Sequence, residues 1–168
     1  NDLTVDYCLL GKGVRLRFTS SDLYTAMTPA LAHRQVDILD APDLVVDIWD
    51  SYSSGLDFEK PDVILNPRYD IPDLNTETYF TLFNQRERSI TMFNRLEGHA
   101  VWAIEDFRLL DTHVIYTEPL LPLFQVWGTD QETTIVHAAS VGYDNQAVLL
   151  VGQSGAGKST TAILCLRD

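Results

Sequence analysis

The strongest constraint on this chain sits near its end. Ala147 to Val151 is a near-continuous apolar run, and GQSGAGKST, Gly152 to Thr160, follows it directly. Thr160 to Leu166 then carry the residue types of a helix. Such an apolar run fits a strand buried on both faces, as in a parallel or mixed sheet covered by helices. Strand, glycine-rich loop and helix in that order make a phosphate-binding unit. The expected fold class is α/β, or α+β. A β-rich region with one or two helices over residues 1–130 leads into the start of a nucleotide-binding domain over residues 131–168.

Gly152, four residues, then Gly157, Lys158 and Ser159 match the phosphate-loop spacing completely. Average composition alone gives such a match in a chain of this length on the order of once in a hundred or less. Each residue type has a chemical reason. Gly152, Gly155 and Gly157 permit backbone angles closed to other residues and let phosphate approach. Successive backbone N–H groups from Ser154 through Ala156 to Lys158 form an anion-binding concavity, with Gln153 and Thr160 flanking it. The helix opening there adds its positive N-terminal end. Lys158 reaches the outer phosphates, and Ser159 offers its hydroxyl to Mg²⁺.

Charge excludes one class of partner. Twelve Lys and Arg stand against 24 Asp and Glu, a net charge of −12. A duplex-binding surface needs clustered cations, so no nucleic acid is expected. No apolar run approaches the roughly 20 residues of a membrane span, so no membrane crossing is expected. Cys8 and Cys165, in apolar surroundings near opposite ends, read as two buried reduced thiols, which favours the cytoplasm.

Upstream of the loop, Tyr7 to Leu10 and Val14 to Phe18 read as strands joined by a turn at Gly11, Lys12 and Gly13. Ser20 to Asp22 read as a helix start, with an apolar face of Leu23, Ala26, Met27, Ala30 and Leu31. Pro29 is expected to kink this helix, or to start a second one capped by Thr28. Leu44 to Trp49, Tyr79 to Phe83, Ser89 to Phe93 and Ala100 to Ile104 read as strands, and Val114 to Tyr116 as a further one. Residues 51–75, with Pro61, Pro67 and Pro72, read as loop or irregular edge structure. Leu120 to Trp127 reads as a short helix. Thr133 to Val141 reads as a strand carrying His137, and Tyr143 to Gln146 as a polar turn.

Histidines and carboxylates are the remaining candidate catalytic groups. If the strand of His137 pairs with the loop strand, His137 stands near the phosphate end of the sheet and becomes a candidate base. His33, His99 and His113 sit at helix ends or turns and read as structural or exposed. Two apolar runs end in acid, at Asp47 and Asp50 and at Glu105 and Asp106, and solvated strand rims account for both.

The segment IVHAASVGYDNQAVLLVGQSGAGKSTTAILCLRD resembles the start of the kinase domain of HPr kinase/phosphorylase and its relatives. The likeness covers about 35 residues. It implies a nucleotide-binding core related to that of ATP-dependent phosphoenolpyruvate carboxykinase. It also implies transfer of phosphate from ATP, with Mg²⁺, to a serine of a protein, or of a peptide precursor in relatives tied to lasso peptides. Carried over, His137 matches the family histidine before the loop strand. Gly152, Gly155, Gly157, Lys158, Ser159 and Thr160 match the loop. Ala138 stands where HPr kinase proper has glycine, which points to a divergent relative. The family's aspartate pair comes soon after the loop helix, so the chain reads as the N-terminal part of a longer protein. The family forms hexamers, so a homo-oligomer is among the expected states, and a cut sheet edge favours pairing with another chain.

The sequence thus points to the ATP-binding part of an HPr-kinase-like serine kinase, with His137 and Lys158 as its catalytic candidates. The rival readings are a nucleotide-gated binding module and an NTPase without a protein acceptor.

Overall fold

The computed structural model describes residues 3–59, 62, 71–116 and 119–166. Pro61 and Pro67 lie outside them. The chain divides into two compact units, Asn1–Thr133 and Thr134–Asp168. It is a mixed α and β structure in which, among the described residues, no helix is long and apolar enough to cross a membrane.

The first unit holds strands β1 (Thr4–Leu9), β2 (Lys12–Phe18), β3 (Gln35–Val36), β4 (Leu44–Asp50), β5 (Tyr79–Asn84), β6 (Ser89–Asn94) and β7 (His99–Ile104). They form one seven-stranded sheet in the order β3-β1-β2-β4-β7-β6-β5. β4 runs parallel to both of its neighbours, β2 and β7, and the outer pairs are antiparallel. The β1–β2 turn is tighter than expected. It is the two residues Leu10 and Gly11, both at positive φ (55° and 75°). That is the backbone hand that matches strand twist in a two-residue hairpin.

Alternation builds the core. The register sets Leu16 opposite Val5 and Val46, and Val46 opposite Ala100, so these residues share one face and all are buried. Helices α1 (Ser21–Leu31), α3 (Thr112–Tyr116) and α4 (Leu121–Asp130) bring Leu23, Met27, Ile115, Leu123, Phe124 and Trp127 to the same core. The Tyr7 hydroxyl donates to the Thr28 carbonyl at 3.5 Å, which holds α1 against this face.

The strand expected at Val114 to Tyr116 is corrected, and the structure adds detail at Pro29 and within 51–75. α1 runs unbroken through Pro29, because a proline in the last turn forfeits only one late backbone bond. Ser20 caps its start by accepting from the Leu23 N–H, while the Thr28 hydroxyl donates back to the Tyr24 carbonyl. Val114 to Tyr116 are helical, since Asp111 accepts backbone bonds from Val114 and Ile115 and starts α3. Within 51–75, Ser51–Ser54 form the short helix α2 and Pro72–Leu74 a 3-10 turn. The backbone of Ile71 and the side chain of Asn75 bind that of Thr81, which closes the outer edge of β5.

The second unit is small. β8 (Ala138–Tyr143) and β9 (Gln146–Val151) form an antiparallel hairpin, followed by α5 (Lys158–Cys165). Asp144 and Asn145 make its two-residue turn at φ 48° and 59°. Two expectations fall here. Irregular backbone runs through residue 137, so His137 precedes the strand rather than lying in it. The run Ala147 to Val151 is not doubly buried: Val148, Leu149 and Val151 are exposed. β9 pairs with β8 alone among the described residues, so it is not a central strand here. Both thiols are exposed as well. Cys8 points to the face opposite the buried Tyr7, and α5 has no buried residue.

Buried charge fastens β1 and β2 to the segment before β4. Asp6, fully buried, accepts from Arg15 Nε and Nη2 at 2.9 and 2.8 Å and from the Leu39 N–H at 2.7 Å. The Arg15 hydrogen bonds outweigh burial and hold its carboxyl below the usual range. A depressed folded pKa stabilises above the unfolded value and is lost as pH falls through the folded one. The stability of the first unit against heat should therefore fall below about pH 4. Asp6→Asn should lower stability at neutral pH by about 2–3 kcal/mol and flatten that acid limb. A variant as stable as the parent at pH 7 would contradict this role.

Candidate phosphate-binding site

The site is the turn between β9 and α5. Residues 152–157 turn the chain there, and two of them need glycine: Gly155 has φ 79° and Gly157 has φ 81°. Only a residue without Cβ holds these left-handed angles at low cost. A Cβ on Gly152 would stand 3.4 Å from the Ala156 Cβ, an ordinary contact across the loop. The Ala156 N–H donates to the Gln153 carbonyl at 3.2 Å and closes the turn.

Lys158 is the first residue of α5 and folds back over the loop. Its ammonium donates to the carbonyls of Gly152 and Gln153 at 2.9 and 3.0 Å. The one cation of the motif thereby stands at the loop's entrance, tied to the strand end. Gly157 caps α5 with no side-chain bond to its first N–H groups, and Ser154, Gly155, Ser159 and Thr160 are exposed. The result is a glycine turn at an uncapped helix start, one lysine, and three hydroxyls, those of Ser154, Ser159 and Thr160, open to solvent. This donor set suits an anion with several oxygens.

His137 comes to the same end. The hairpin register sets Ala138 opposite Val151, and His137 is the residue just before Ala138, beside the point where β9 enters Gly152. Its side chain is exposed. Among the described residues of this unit the carboxylate is Asp144, in the turn at the opposite end of a six-residue ladder. At the strand rise that is about 20 Å from the loop.

The acidic strand ends have structural partners in the first unit. Asp50, fully buried, accepts from the Ser53 N–H and hydroxyl and from the Phe107 N–H at 3.2 Å, linking β4 to α2 and to the turn after β7. Asp106 pairs with Arg108 at 2.7 Å, and Glu105 with Arg88. Asp47 pairs with Arg17 at 2.6 Å and with His99 at 2.8 Å. Partial burial opposes its ionisation, yet the Arg17 and His99 bonds hold its carboxyl below the usual range. Sequence reading did not bring these three together, because they meet only through the parallel register of β2, β4 and β7. His33 lies in a 3-10 turn and His113 in α3. Among the described residues, no three His, Cys, Asp or Glu side chains are grouped to hold a metal.

The glycine geometry gives a test that needs no ligand. Gly157→Ala should cost the loop about 1–2 kcal/mol through the left-handed penalty. Amide exchange over residues 158–161 should quicken several-fold, with the unfolding transition of the first unit unchanged. Unaltered exchange there would show that the loop does not hold this angle.

No family model, curated protein or solved structure matches this chain.

Proposed function

We propose that β9, the glycine loop and α5 bind the phosphates of ATP, and that the chain is the ATP-binding part of an HPr-kinase-like phosphotransferase acting on a serine hydroxyl of a protein or peptide. The observation that carries the reading is the loop itself, with left-handed Gly155 and Gly157, an uncapped helix start, and the Lys158 ammonium held over the entrance. The hairpin just before the loop supports it. Strand, turn, strand, loop and helix is the order that the resemblance implies, and it brings His137 to the loop's end.

The residues divide the work by chemistry. Backbone N–H groups from Ser154 to Lys158 bind phosphate oxygens and fix their orientation. Lys158 exchanges two neutral carbonyl partners for charged oxygens, a stronger pairing. Ser159, exposed in the first turn of α5, is the hydroxyl placed for Mg²⁺, and Thr160 stands beside it. When bound, Mg²⁺ neutralises charge that builds on the phosphates. His137 is the titratable group placed to receive or orient the acceptor's proton.

Incubated with Mg²⁺ and γ-labelled ATP, the full-length kinase that the resemblance implies should label a serine of an acceptor protein or peptide. Lys158→Ala should weaken ATP binding tenfold to a hundredfold, the equivalent of about 1.4–2.7 kcal/mol, and abolish labelling. His137→Ala should slow labelling with little change in binding. Binding without labelling would favour the gated module, and release of free phosphate the NTPase. Labelling that survives Lys158→Ala would overturn the assignment of the loop.

A further inference from the structure

A second site lies in the first unit. A cavity of about 210 Å³ opens between the β5–β6 hairpin and the segment joining α3 to α4. Its two ends differ in chemistry. Leu82, Trp102, Val114, Leu120, Leu121 and Pro122 form an apolar pouch. Asn84, Glu87, Ser89 and Thr91 form a polar end.

The polar end is ordered around one carboxylate. The Ser89 hydroxyl donates to Glu87 Oε2 at 3.2 Å. Asn84 accepts from the Glu87 N–H at 3.2 Å, which fixes the loop that presents the acid. Ser89 and Thr91 are nearly fully buried, on the inward face of β6, and Thr91 sits opposite Trp102. Burial raises the Glu87 pKa, its Ser89 and Asn84 bonds only partly offsetting this, so its charge lacks full compensation inside the protein. Its sequence neighbours Arg86 and Arg88 are paired with Asp111, at 2.8 Å, and with Glu105, and the Arg86 charge offsets the burial only in part. A half-buried carboxylate at the head of an apolar pouch calls for a cation with an apolar body.

We propose that this cavity binds a small primary amine, its ammonium on Glu87 and beside Thr91, its hydrocarbon body against Trp102 and Leu121. The size is consistent. At about 210 Å³ the cavity is several times the roughly 30 Å³ share of one liquid water, so it admits a small organic molecule rather than a lone water. Three ammonium protons find Glu87 and the Thr91 hydroxyl as acceptors, so the charge is paired on entry. The site belongs to the first unit and is separate in its residues from the phosphate loop, so it stands or falls independently of ATP.

Cyclohexylamine, with seven non-hydrogen atoms, is a suitable probe, with cyclohexanol and cyclohexanecarboxylate as comparators of similar shape. Titration into the full chain should move the Trp102 indole and Thr91 amide resonances saturably. The alcohol should bind at least about tenfold more weakly and the acid not at all. Glu87→Gln keeps the loop's hydrogen bonds and should remove the amine's advantage over the alcohol. Thr91→Val should weaken the amine alone. Equal affinity for amine and alcohol, an amine affinity unchanged by Glu87→Gln, or no saturable shift at Trp102 would each overturn the proposal.

Discussion

The first unit depends on β4. It is the strand with parallel neighbours on both sides, and its inward residues Leu44, Val46 and Ile48 are fully buried. Parallel pairing forces a crossover on each side, since the chain must return to the same end of the sheet. α1 forms part of the first crossover, and the antiparallel β5–β6 hairpin fills the second. Asp50 then ends β4 with a buried carboxylate that binds both α2 and the chain after β7. Thus one strand sets the sheet order, the covered face and the turn chemistry at its end.

The second unit works by another rule. None of its described residues is buried, although its sequence is rich in Val, Leu and Ile. A two-stranded hairpin with one helix offers too little area for a core of its own. What is formed is local: a register, a two-residue turn, two left-handed glycines and a lysine tied to its own strand end. Those local features are the ones that phosphate recognition uses. An anion site made of backbone donors and one cation needs a rigid turn more than a large core.

The legible parts of the chain were those fixed by short-range chemistry. The GQSGAGKST loop, the Ser20 cap, the Tyr143–Gln146 turn and the strands from Leu44 to Ile104 follow from residue type and alternation. The illegible parts needed long-range pairing. Nothing in Ala147 to Val151, or around Cys165, distinguishes a buried apolar run from an exposed one. Val114 to Tyr116 carries the β-branched residues of a strand, but Asp111 and the core position of Ile115 make it helix. The Arg17–Asp47–His99 cluster joins residues up to 82 positions apart. The Glu87 cavity likewise joins a hairpin to a later helix. Alternation places Ser89 and Thr91 inward, but only the fold sets the apolar wall across from them.

The most direct measurement is a Mg·ATP titration of the chain followed at the backbone amides of residues 152–161. The account predicts large, saturable shifts at Gly155, Gly157 and Lys158, as their N–H groups exchange water for phosphate oxygen, with AMP far weaker. Shifts absent from the loop, or equal for ATP and AMP, would contradict it.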